Sequence, residues 1–168
     1  MALSQPAFTL PRLYSIFFLT IEPLSALAGA YYAHVHPVTY LSLTHSQVSS
    51  TSSPLSTMPS PGSPLPLSTT IALTQLANLY LLFALNEALV LRSTADLRVW
   101  RTLLFGLLLA DFGHLWSVKA LGTGVYWRAW EWNCMAWGNV GFVYVGAAMR
   151  MCFLSGVGMG GRGGEKEK

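Results

Sequence analysis

The chain has 168 residues, 52% of them hydrophobic and only 10% charged, and its mean hydropathy is positive. Water-soluble domains carry about a quarter charged residues, so this composition excludes an ordinary soluble globule and points to lipid. The formal net charge of +3 calls for no nucleic-acid partner, because the placement of the basic residues about a bilayer accounts for it.

Four segments, 13–33, 70–91, 101–118 and 134–155, are apolar enough to cross a bilayer, which takes about 20 helical residues. A spanning segment must satisfy its own backbone, and so few segments cannot close a barrel, so they are predicted to be helices. The expected fold is all-α: a single integral membrane domain over 1–168, built as a four-helix transmembrane bundle.

In the first segment Glu22 is followed by Pro23 near the midpoint. Ser15, Glu22, Ser25 and Gly29 recur at helical spacing and form one stripe. The proline frees a carbonyl one turn back, around Leu19, and favours a kink there. Ala28-Gly29-Ala30 resembles a signal-peptidase site, but Arg12 alone supplies basic charge and the apolar run continues past Tyr32, so the helix is expected to be retained. Residues 37–69 are expected to form a flexible lumenal loop, because serine, threonine and proline dominate from Ser46 to Thr70 with no apolar periodicity.

The second segment aligns Gln75, Asn78, Leu82 and Asn86, with Glu87 one step around. The third, within LLFGLLLADFGHLWSV, stacks Asp111 and His114 on one face. The fourth aligns Asn139, Gly146 and Arg150. Cys134 and Cys152 are about 27 Å apart along that helix and cannot pair with each other. Trp127, Trp130, Trp132 and Trp137 crowd its start, level with Tyr31 and Tyr32, as an aromatic belt at the interface would. The tail, 156–168, is glycine-rich and then charged and is expected to be flexible. Its Lys166 has the spacing of half a dilysine retrieval signal, which favours the endoplasmic reticulum.

With four crossings, Arg12, Arg92, Arg98, Arg101, Arg150, Arg162, Lys166 and Lys168 fall on one side, leaving Lys119 and Arg128 on the other. The positive-inside bias then places both termini in the cytoplasm.

Ionisable groups at membrane depth cost a few kcal/mol or more, so they face the bundle interior, paired or functional. Glu87 and Arg150 lie at similar depth and are expected to form a structural ion pair. Glu22 and Asp111 sit near the midplane, where no basic residue matches their depth. A carboxylic acid so placed keeps its proton and can act as a general acid. The candidate proton-handling residues are therefore Glu22, Asp111 and His114, the histidine poising Asp111, with Glu87 joining them if it is not paired. Phe18, Phe83, Phe112 and Trp116 are candidates for a pocket wall whose ring faces would steady a cation. Asn78, Asn86 and Asn139 either line that pocket or bind helix to helix. No pattern calls for a cofactor or a metal, there being no His-Glu-x-x-His, phosphate loop or Cys-x-x-Cys.

The phrases LPRLYSIFFLTIEPLSALAGAYYAH, QLANLYLLFALNEALVLRSTADLRVWRTLLFGLLLADFGHLWSV and WNCMAWGNVGFVYVGAAMR resemble a family of small four-helix membrane proteins of filamentous fungi. More distantly, FALNEALV resembles the acidic second helix of the EXPERA domain of emopamil-binding sterol isomerases and their ligand-binding relatives. That resemblance implies an internal pocket for a lipophilic amine or sterol and places Glu87 at the matching acid. A third likeness, in buried carboxylic acids alone, is to fungal membrane terpene cyclases. Two functions are open on this reading. One is binding, with acid–base isomerisation or cyclisation, of a sterol- or terpenoid-like lipid. The other is a non-enzymatic membrane scaffold or accessory subunit whose polar residues only lock the helices together.

Overall fold

The computed structural model describes residues 10–45 and 64–159. Its five longer helices are α1 (Arg12–Val35), α2 (Pro37–His45), α3 (Leu67–Ser93), α4 (Leu97–Leu121) and α5 (134–154), with short 3-10 turns between the last two. The four predicted helices are present, most with ends a few residues beyond the expected ones. Among the described residues no strand occurs.

One expectation needs correction. Residues 37–45, predicted as loop, form helix α2, which Pro37 opens and which packs back through buried Tyr40 against Leu73 and Ala77. The proline fixes a helical φ where no N–H partner is needed. Residues 46–63, most of the predicted Ser/Pro loop, lie outside the described residues, as does the tail from 160. Of the four predicted crossings, α1, α3 and α4 are long and apolar enough to cross a membrane; α5 is not among them. Asn139 and Arg150 lower its apolar weight.

The long helices run antiparallel to their chain neighbours. Leu19 meets Arg92 and Gly29 meets the Tyr80 ring, which fixes α1 against α3, while the Tyr40 hydroxyl meets that of Tyr80 and holds α2 to α3. Trp100 against Phe153 and Val118 beside Val140 fix α4 against α5. Small residues set the α1–α3 contact: Ala26 and Ala33 on one side, Ala77 and Ala84 on the other, are all buried. Lipid tails are as apolar as leucine, so close backbone approach decides which faces meet.

Three stretches wind wider than an α-helix, with π-type bonding: Phe17–Ile21, Asn86–Val90 and Trp137–Gly141. Each adds a residue to a turn and rotates the side chains beyond it, a device common at functional positions. Glu22 comes directly after the first, and Glu87 lies within the second. Pro23 leaves the Leu19 carbonyl without its helical donor, as the sequence implies, and the Arg92 Nη2 donates to it at 2.5 Å.

The helix ends are capped by recognisable chemistry. Asp96 accepts from the Arg98 N–H at the start of α4, and Asn133 accepts from the Ala136 N–H at the start of α5. At the end of α5, Val157 N–H donates to the Cys152 carbonyl and Gly156 N–H to that of Phe153. Gly156 sits at φ +81°, so this is a Schellman turn on a residue without a Cβ penalty. The turn presents the Val157 carbonyl to the Tyr14 hydroxyl at 2.7 Å, tying the end of α5 to the start of α1.

Candidate functional site

Arg150 touches an acid from each of the other three long helices. Its Nη2 lies 2.5 Å from Glu22 Oε1 on α1 and 3.3 Å from Glu87 Oε1 on α3, and its Nη1 lies 2.6 Å from Asp111 Oδ2 on α4. Arg150 and Glu87 are fully buried, while Glu22 and Asp111 are 4% and 7% exposed. The Phe83 and Phe18 rings stand 5.5 and 6.0 Å from the guanidinium carbon, close enough for cation–π attraction. Phe18, Tyr14, Trp100 and Phe153 build the aromatic core beside the cluster.

Helix direction explains how these residues meet. Side chains lean toward the N-terminus of their own helix. Arg150 starts about 6 Å from the end of α5 and leans inward, whereas Glu22 starts about 15 Å into the opposed α1 and leans back toward it. Asp111 on α4 leans as Glu22 does. The expectation that no basic residue reaches Glu22 and Asp111 is therefore wrong: depth compared at Cα positions ignores about a turn of reach from each side.

Gly146 makes the approach sterically feasible. A Cβ there would stand 2.9 Å from Arg150 Nη1 and 3.2 Å from Glu22 Oε1. The sequence places Gly146 on the same stripe as Arg150 without assigning it this purpose.

The expected Glu87–Arg150 pair is present, but as the longest contact of a four-member cluster rather than a separate bridge. One guanidinium faces three carboxyl groups, so full ionisation would leave two uncompensated negative charges in a dry interior, which is strongly unfavourable. Glu22 and Glu87 are also within hydrogen-bonding reach of each other. Glu22 Oε2, Glu87 Oε2 and Arg150 Nε are buried without a partner among the described residues.

The remaining candidates divide. Phe18 and Phe83 flank the guanidinium as described. Phe112 and Trp116 do not join them; they are 50% and 70% exposed on the outer face of α4. Phe112 comes one helical step of 100° after Asp111, so a buried Asp111 turns it and Trp116 outward. His114 is half-buried with its ring near the Asn139 backbone, its Nε2 has no partner, and no hydrogen bond joins it to Asp111 among the described residues. Asn139 and Asn86 are half-buried, while Asn78 is exposed. Two open hollows lie at the far end of α4, bordered by Trp116 and Lys119, and no member of the charge cluster lines either.

Three long apolar helices around a buried ionic centre define the class, a helical membrane protein. The chain belongs to the family described as a domain of unknown function, DUF7704, which matches residues 7–160. No curated protein and no solved structure matches it.

Proposed function

We propose that this chain is a non-enzymatic membrane module, a scaffold or accessory subunit, whose long helices are clamped into one arrangement by Arg150. The observation that carries this reading is that a single buried guanidinium contacts acids from all three other long helices. Aromatic rings flank it, Phe83 and Phe18 standing 5.5 and 6.0 Å from the guanidinium carbon, as the packed core of a clamp would. In this reading α5 crosses the bilayer with the others, both termini lie in the cytoplasm with most of the Arg and Lys, and the protein resides in the endoplasmic reticulum. Reporter tags at both termini should be cytoplasmic; a C-terminal tag in the lumen would remove α5 as a crossing.

The decisive variant neutralises the whole cluster at once: Glu22→Gln, Glu87→Gln, Asp111→Asn and Arg150→Met. A clamp that only holds helices tolerates this set better than Arg150→Met alone, because no charge is left buried and unpaired. Thermal unfolding in detergent reads the order of the two. If the neutral set unfolds no later than the single variant, the clamp reading fails.

A second reading, binding and acid–base isomerisation or cyclisation of a sterol- or terpenoid-like lipid, is favoured by the excess of acids over cations. Protons retained on Glu22, Glu87 or Asp111 would be available to a substrate entering the bundle. Mass spectrometry of small molecules retained by the detergent-purified protein tests it. A lipid lost on Asp111→Asn without loss of thermal stability would establish this reading over the first.

A further inference from the structure

A polar feature apart from the charge cluster lies on the outer face of α3. Ile71, Gln75, Asn78, Leu82 and Leu85 recur at spacings of four and three, the heptad pattern of a helix that pairs along one seam. All five are exposed: Ile71 49%, Leu82 54% and Leu85 43%, with Gln75 and Asn78 also open to the surroundings. Nearby threonines satisfy themselves, since Thr70 and Thr74 donate to carbonyls four residues back. The two amides have no hydrogen-bond partner among the described residues. They lie about 7 and 3 Å from the centre of a helix that spans the bilayer, where water is absent.

We infer that this seam is a homodimer interface, in which α3 packs against α3 of a second copy of the chain. A carboxamide carries both donor and acceptor, so an identical amide at the same depth satisfies both. A two-fold axis normal to the bilayer supplies that match automatically, because each residue then faces its own equivalent at equal depth. The leucine and isoleucine layers above and below give the apolar packing, and the Gln75 and Asn78 layers fix register, as a buried polar layer does in coiled coils. The inference rests on α3 alone and is independent of how Arg150 is used.

The test uses full-length protein in bicelles with Cys134 and Cys152 changed to serine. Leu82→Cys should form a covalent dimer under mild oxidation, whereas Leu109→Cys, on the exposed face of α4, should not. Without added cysteine, Gln75→Leu with Asn78→Leu should weaken the dimer about tenfold or more, and Asn78→Gln should keep it. Both substituted positions face outward, so thermal unfolding of the monomer should not change. A protein that is monomeric at every protein-to-lipid ratio overturns the inference. So does failure of Leu82→Cys to cross-link, or a leucine variant that dimerises as tightly as the parent. Should the leucine variant misfold, the cross-linking arm still decides.

Discussion

Around Arg150, side chains from four helices cross the bundle to meet one another, and the elements there are joined by charge. At the opposite end, around Tyr40 and Asn133, contacts are made by short groups and backbone: the Tyr40 and Tyr80 hydroxyls at 3.2 Å, and Asn133 Nδ2 donating to the Leu43 carbonyl at 2.9 Å. Small residues, Ala33 and Ala77, let the helices close there. The charged end buries long-range electrostatic dependence, since each of its members relies on the others. The opposite end is a set of local contacts whose losses stay local.

The largest expected effect comes from removing the hub. Arg150→Met leaves three acids without a cation and should destabilise by about 3–5 kcal/mol, read as a fall in folded yield and melting temperature in detergent. Glu22→Gln and Glu87→Gln combined should depart from additivity, which a double-mutant cycle on the same unfolding signal measures. Additive losses would mean that the acids act separately, and the contrast between the two ends would disappear.

Gly146→Ala comes next. The added methyl displaces either Arg150 or Glu22, and overpacking of this kind costs about 1–3 kcal/mol. In an Arg150→Met background its cost should shrink, because the crowded atom is gone. At the other end, Asn133→Ala removes the α5 cap and the tie to α2, for about 1–2 kcal/mol. Tyr40→Phe, losing one hydroxyl contact, should cost about 1 kcal/mol. Neither should alter the effect of a change at Glu22. Coupling between Tyr40 and Glu22 would show that the bundle responds as one unit.

Much of this is legible in the residues. Glu22, Glu87 and Asp111 read as inward-facing because a lone acid in an apolar run has nowhere else to go, and Pro23 announces the free carbonyl at Leu19. The orientation of α3 is not legible. Its polar stripe of Gln75 and Asn78 suggests an inward face, yet the buried face is Leu73, Ala77, Ala84 and Glu87. A helix that is apolar all round carries little hydrophobic asymmetry, and small residues decide which side another helix approaches. The reach of Arg150 escapes for a different reason: spacing along a helix locates the Cα, while a long side chain delivers its charge a turn away. Helix α2 is masked by its neighbourhood, since residues 37–45 adjoin a Ser/Pro-rich stretch and share its proline, serine and threonine.

The order of the four charged residues along the chain has a consequence for biosynthesis. Glu22, Glu87 and Asp111 are all translated before Arg150. A nascent chain arrested after α4 therefore carries three acids destined for the bundle interior and no guanidinium to receive them. Its three long helices cannot reach their final packing until the last one arrives. A premature stop between the end of α4 and codon 150 should thus yield a chain that is held by the insertion machinery or degraded, even when every helix before it is intact.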